Sequence, residues 1–251
     1  MRLLINPRYA HLEGFVRGLH RNFESMPYER ILRNIRNDVR EVSVAGEHLV
    51  VKSFRHLSLV NRVAYGRLRA SKSMRAFSHA ERLALLGIGT PEPVAAADFW
   101  ERGLLAGSYF VSAYSDYHSV EEIRGRDVAE IIPLLDALTE FLISLHDRGV
   151  VHHDLNISNI LYRELRPGEY DFQLIDINRM DFKRRLTSRE RLANMSKFEC
   201  SPEAYFYILG RYADLKSRDH DLFKLQGMVQ RLMEMERQRM KDNCKRVLMN
   251  R

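Results

Sequence analysis

Asp154 and Asn159 lie five residues apart in Val150-Val-His-His-Asp-Leu-Asn-Ile-Ser-Asn-Ile-Leu-Tyr162, and Asp176 follows the apolar run Phe172-Gln-Leu-Ile175. A carboxylate, a carboxamide and a second carboxylate suit phosphoryl transfer. That reaction needs a group to orient the attacking hydroxyl, oxygen ligands for Mg2+, and positive charge near the phosphates. On this reading Asp154 takes the proton of the attacking hydroxyl. Asn159 and Asp176 offer the hard oxygens that Mg2+ prefers. Lys52, in Val50-Val51-Lys52, is the candidate to neutralise the α/β phosphates of ATP. Glu81 is the candidate to pair with Lys52 and hold it in place. A lone strand lysine is ordinarily a solvated edge, and a lone helical glutamate ordinarily sits on the surface. The argument therefore rests on the set and its order.

Elements must position these groups. From about Tyr28 to Phe54 the sequence suits strands. Glu41-Val-Ser-Val-Ala45 alternates, His48–Phe54 is rich in β-formers, and Ala45-Gly46-Glu47 reads as a tight hairpin turn. Residues 58–87 read as helical, with Ala80, Leu83, Ala84 and Leu86 at helical spacings and Gly87 as the stop. Val94–Ala97 and Ser108–Tyr114 read as strands. Pro133–Arg148 is a helix with Leu134, Leu135, Leu138, Phe141, Leu142 and Leu145 on one face, ended by Gly149. Strands follow near Ile160–Arg163 and Phe172–Asp176, and helices from about Ser188. Residues 1–27 read as an irregular or partly helical lead-in. The expected class is α+β with two lobes: an N-terminal antiparallel β-sheet lobe with one main helix over 28–117, and a mostly helical C-terminal lobe over 118–251.

The chain has 251 residues, 45% of them hydrophobic and 29% charged, which allows a sizeable core and argues against long disorder. Its two cysteines, Cys200 and Cys244, read as reduced thiols, and no Cys/His set has zinc spacing. The N-terminus lacks a signal peptide's apolar run, and no stretch is long enough to span a bilayer. The expectation is a cytoplasmic, soluble protein, with a peripheral membrane location as a variant. The net charge of +7 is clustered. Lys52–Arg75 holds seven Lys/Arg and no acid, and Lys183–Arg191 holds five and one acid. Such runs attract phosphates, anionic lipid headgroups or nucleic acid, or are solvated basic faces. Nucleic acid is not expected, because the runs lack stacking aromatics and no helix-turn-helix or zinc-finger pattern occurs.

His152-His-Asp-Leu-Asn-Ile-Ser-Asn159 resembles the catalytic loop of protein-kinase-like phosphotransferases, and Asp176-Ile-Asn178 stands where that group has its Asp-Phe-Gly metal motif. The closer resemblance is to the lipopolysaccharide kinase (Kdo/WaaP) family over roughly residues 30–185. It is carried by Asn61-Arg-Val-Ala-Tyr-Gly-Arg-Leu-Arg-Ala-Ser-Lys-Ser-Met-Arg75, Gly87-Ile-Gly-Thr-Pro-Glu-Pro93, Ser108-Tyr-Phe-Val-Ser112 and Asp176-Ile-Asn-Arg-Met180. The nearest members look like Kdo kinases of Bacteroidetes-type bacteria. The resemblance implies ATP and Mg2+ as cofactors and a Kdo hydroxyl of a lipid A precursor as acceptor. It also implies work at the anionic cytoplasmic face of the inner membrane.

This sequence also departs from the protein-kinase pattern. The loop between the first two strands, Asn34–Arg40, has no glycine, so Arg36 or Arg40 is expected to take part of the phosphate binding. His153 replaces the usual arginine, and no Ala-Pro-Glu follows, although Ser201-Pro-Glu203 is a distant echo. Regulation by loop phosphorylation and a full peptide-binding region are not expected. His152 reads first as a packed residue bonding backbone near Asp176; proton transfer or a transition-metal site with His153 and Asp154 are lesser readings. Arg62, Arg67 and Arg69 are the candidate acceptor or membrane surface. The alternatives are a kinase of a protein or small-molecule alcohol, and a pseudokinase that only binds nucleotide.

Overall fold

The structure is a computed structural model and describes residues 1–34, 37–54, 70–217 and 219–249. The chain divides into two units. The first is Met1–Asp116 with Leu174–Arg179, and the second is Tyr117–Gln173 with Met180–Arg251. An antiparallel sheet dominates the first and helices the second, as the sequence led us to expect.

The sheet of the first unit runs β1 (Arg2–Ile5), β5 (Pro93–Glu101), β6 (Leu104–Ala113), β4 (Glu47–Ser53), β3 (Asp38–Val44) and β2 (Arg30–Asn34) in spatial order. β3 and β4 are joined by Ala45 and Gly46, both at positive φ (52° and 83°), the geometry of a two-residue turn that follows the strand twist. The period of two sorts β4 cleanly. Leu49 and Val51 are buried against α1 (Glu13–Asn22), in a cluster with Leu12, Val16, Leu19 and Phe23. Lys52 faces the opposite way and pairs in register with Phe110. On that face α2 (Lys72–Leu85) packs Met74 and Phe77 against Ala96, Leu4 and Phe110. Ser71 caps α2 by accepting from the Met74 N–H, and Gly87 ends it at φ 65°.

Residues 1–27 are no mere lead-in. β1 pairs with β5, and α1 presents Leu12, Val16, Leu19 and Phe23 at helical spacing to the sheet. The stripe was present in the sequence, but its interruption by charged residues masked it. The phosphate-loop expectation also shifts. β3 starts at Asp38, so Arg40 belongs to a strand rather than to the connection.

In the second unit α3 (Val128–Asp147) begins five residues before the expected Pro133. Asp127 caps it by accepting from the Ala129 N–H, and Pro133 lies within it. Leu134, Leu135, Leu138, Leu142 and Leu145 are buried as the pattern required. A short strand β7 (His118–Ser119) pairs with β9 (Ile160–Arg166), whose other neighbour is β10 (Glu169–Leu174). β8 (Val150–His152) pairs antiparallel with β11 (Met180–Phe182). The unit ends with α4 (Ser188–Met195), α5 (Pro202–Lys216) and α6 (His220–Met249). Thr187 and Glu190 form a reciprocal capping box at the start of α4. Among the described residues no helix is long and apolar enough to cross a membrane.

Candidate active site

Lys52 and Asp176 are 124 positions apart in sequence, yet Lys52 Nζ donates to Asp176 Oδ1. The return of Leu174–Arg179 to the first unit makes the pair possible. Leu174 N–H bonds to Gly89 O at 2.9 Å, Thr90 Oγ1 donates to Leu174 O at 2.8 Å, and His79 Nδ1 lies 2.7 Å from Ile177 O. The carboxylate thus reaches the α2 face, where strand alternation has placed Lys52. Asp176 itself sits at φ 55°, in the left-handed region, with its Oδ1 also accepting from Asn178 Nδ2. A residue held there against its preference is a reason to look for function.

More positive charge surrounds this carboxylate. The Phe54 ring has Lys52 Nζ at 5.3 Å and Lys72 Nζ at 5.8 Å from its centroid. Burial is the main cause that pushes the Lys72 amine down from its ordinary value. Asp176 opposes that shift, and the positive charges of Lys52, Arg75 and Arg179 add to it. Lys72 thus feels Asp176 and three further cations, a local excess of positive charge suited to a polyphosphate. Of these, Lys72, Arg75 and Arg179 were not singled out from the sequence. Lys72 and Arg75 lay in the basic run noted there, and only packing showed which of its charges gather near Lys52 and Asp176 through Lys72.

The second constellation is built within the second unit. β8 delivers the chain to a loop held by its own polar side chains. His152 is buried, and its Nδ1 accepts from the Asp154 N–H at 3.1 Å, which leaves the neutral ring's proton on Nε2. Asn159 Nδ2 donates to Asp154 O at 2.8 Å. Asn156 Oδ1 accepts from Ile157 N–H and Glu199 N–H, and Asn194 Nδ2 donates to His152 O at 2.7 Å. With its main chain fixed this way, Asp154 is exposed and its carboxylate has no partner among the described residues. That arrangement suits a base that must meet a substrate hydroxyl. Asn159 is 5% exposed, and its amide nitrogen donates to Asp154 O, which leaves the amide oxygen as the atom that could ligate a metal ion. An amide oxygen and the Asp176 carboxylate are hard donors of the kind Mg2+ takes, so these residue types fit the ion.

Two expectations are corrected. Glu81 does not pair with Lys52. It is exposed on α2, whose buried face runs through Met74, Phe77, Ala80 and Leu83, and Lys52 is engaged by Asp176. Arg40 is not available to phosphate. It is 5% exposed, bonded to Asp38 at 2.9 Å and to Phe23 O, and its guanidinium lies 4.2 Å from the Phe23 ring centroid. The cause is strand period, since residues two apart share a face and Asp38 faces Arg40. Arg36, Arg62, Arg67 and Arg69 lie outside the described residues.

Among curated proteins none matches the chain in sequence. Of solved structures, "WaaP in complex with acyl carrier protein" is similar with a TM-score of 0.62 at 18% identity, over 96% of this chain and 99% of that one. At that identity the likeness concerns the fold. Residues 20–223 match the lipopolysaccharide kinase (Kdo/WaaP) family, well over half of the sequence, and the chain therefore belongs to that family of phosphotransferases.

Proposed function

We propose that the protein transfers the γ-phosphate of ATP to a sugar hydroxyl of the lipopolysaccharide inner core, namely a Kdo hydroxyl on a lipid A precursor. The observation that carries this reading is the Lys52–Asp176 ion pair within a cluster of further cations. Lys52 and Lys72 bind and neutralise the phosphates. Asp154 receives the hydroxyl proton as the acceptor oxygen attacks. Asn159 and Asp176 hold Mg2+, which supplies charge neutralisation on the phosphates. The family supports a phosphotransferase. The Kdo acceptor, and work as a peripheral protein at the anionic cytoplasmic face of the inner membrane, are supported by the sequence resemblance and the net charge of +7. By likeness to the WaaP complex, an acyl carrier protein is a further partner.

The test is phosphate transfer from labelled ATP to Kdo–lipid A, a peptide mixture and small aminoglycosides, with wild type and Asp154→Asn. Wild type should label Kdo–lipid A alone. The variant should lose transfer while retaining Mg·ATP binding. Labelling of peptide or aminoglycoside instead overturns the acceptor, and surviving transfer in the variant removes Asp154 as base.

A further inference from the structure

Glu29, Glu41 and His48 meet on one face of the sheet of the first unit, although no spacing in the chain marks them as a set. Glu29 immediately precedes β2, Glu41 lies on β3 and His48 on β4. In register Glu41 stands between Arg30 and Val50, and Ser43 stands opposite His48. Residues two apart on a strand share a face, so Glu41, Ser43, His48 and Val50 point the same way. Main-chain bonds fix the flanks: the Glu29 N–H donates to Glu41 O at 2.8 Å, and the Tyr114 N–H to His48 O at 2.9 Å. The side chains then converge. His48 Nε2 lies 2.9 Å from Glu41 Oε1 and 3.6 Å from Glu29 Oε2, and one ligand atom from each of the three falls within 4.8 Å of the others. The second oxygen of each carboxylate is held elsewhere. Ser43 Oγ donates to Glu29 Oε1, and Arg30 Nε donates to Glu41 Oε2 at 3.0 Å. The His48 ring is stacked on Tyr114, with centroids 4.1 Å apart and planes 16° from parallel.

We infer that Glu29, Glu41 and His48 form a site for a divalent transition-metal ion of the zinc type. An ion pair of His48 with Glu41 accounts for only part of the arrangement. One Nε2 proton serves one acceptor, and the Glu29 oxygen at 3.6 Å is beyond hydrogen-bond reach. Two carboxylates brought to one point repel each other unless a cation joins them. Against the single charge of Arg30 they leave a net negative site. One imidazole nitrogen with two carboxylate oxygens suits Zn2+ better than Mg2+, which prefers oxygen alone. Tetrahedral ligands of Zn2+ stand about 3.3–3.6 Å apart, close to the two separations from His48 Nε2. Glu29 and His48 are exposed, so the ion enters from solvent and Glu29 can adjust to it. Ser43, Arg30 and Tyr114 are the outer partners that orient the ligands. Water takes the fourth position, and the ion ties β2, β3 and β4 together. Lys52 shares this face four residues along β4, about 13 Å away, so the site is separate from the Asp176 cluster. It does not depend on the proposed acceptor.

The test titrates Zn2+ into the chelator-treated full chain by calorimetry, without nucleotide and in excess Mg2+, which fills sites made of hard oxygens alone. Wild type should bind one equivalent with a Kd at or below about 1 μM. His48→Ala and Glu29→Gln should each weaken that binding at least about tenfold. Both positions are exposed, so circular dichroism should show both variants folded, and Glu29→Gln alone still decides the matter if His48→Ala is not. His153→Ala, a histidine of the second unit, should leave the binding unchanged. Co2+ in place of Zn2+ should give wild type the visible absorption of a four- or five-coordinate ion, and both ligand variants should lose it. Three results overturn the site: no stoichiometric Zn2+ binding by wild type, equal binding by the folded ligand variants, or binding that His153→Ala abolishes. Phosphate transfer to Kdo–lipid A is read separately, so the metal site and the acceptor stand or fall independently.

Discussion

Lowering the pH from about 7.5 to about 5 should destabilise the second unit by about 2 kcal/mol through His146 alone. His146 is fully buried in α3, and burial, the main cause, pushes its imidazole down to about 4. Its Nδ1 lies 2.9 Å from Tyr212 Oη, which also accepts from Arg191, and its Nε2 lies 3.3 Å from Asn194 Oδ1. The neutral ring donates from Nε2 and accepts at Nδ1. A second ring proton would face the Tyr212 hydroxyl proton. In the unfolded chain the group titrates at its ordinary value of about 6.5. Because the folded value is depressed, the stabilisation is fully present above that ordinary value. It is lost as pH falls towards about 4, where the folded ring also protonates. At about pH 5 the unfolded imidazole is almost wholly protonated and the folded one about a tenth so, and the ratio gives the quoted loss.

The assay is urea unfolding followed by far-ultraviolet circular dichroism at both pH values, for wild type and His146→Phe. The phenyl ring removes the titration. It leaves Asn194 Oδ1 and the Tyr212 hydroxyl without this partner, a cost of about 1–3 kcal/mol that does not vary with pH. The stability gap between the proteins should therefore narrow by about 2 kcal/mol at the lower pH. A gap of constant size would refute the reasoning. The consequence reaches the loop, because Asn194 joins His146 to the His152 carbonyl two residues before Asp154.

Arg40→Ala should cost about 3–5 kcal/mol, since it removes the guanidinium that is bonded to the buried Asp38 carboxylate; denaturant midpoints should fall while Mg·ATP affinity of the folded fraction stays unchanged, and weakened nucleotide binding at full stability would show that the arginine serves phosphate after all. Gly149→Ala should cost at least about 2 kcal/mol through its φ of 73°. A Cβ there would fall 1.7 Å from the Lys183 carbonyl oxygen, so β8 and β11 must part. Thermal unfolding and kcat should both drop, and a variant as stable and active as wild type would show that the β8–β11 pair does not position the loop that carries Asp154.

Local chemistry was legible in the chain itself. The order of lysine, aspartate, asparagine and aspartate suggested phosphoryl transfer only as a set, since each residue alone has a commoner structural reading. The leucine face of α3 and the Ala45-Gly46 turn follow from periods of 3.6 and 2 and from positive φ, which are short-range properties. Partner choice among charged residues was not legible. Glu81 and Arg40 have the right type at plausible separations, yet one lies off the buried stripe of α2 and the other is consumed by Asp38. Lys72 looked like any other charge in a basic run until packing brought it to the Phe54 ring. Residues 1–27 read as an irregular or partly helical lead-in, and the helix is there; their place in the core was not legible because the apolar stripe has value only against a sheet that includes strands from far along the chain. The sequence alone thus determined which functional groups are present and in what order. Tertiary structure decided which of them meet, because ion pairing and burial depend on contacts between distant positions that no local pattern records.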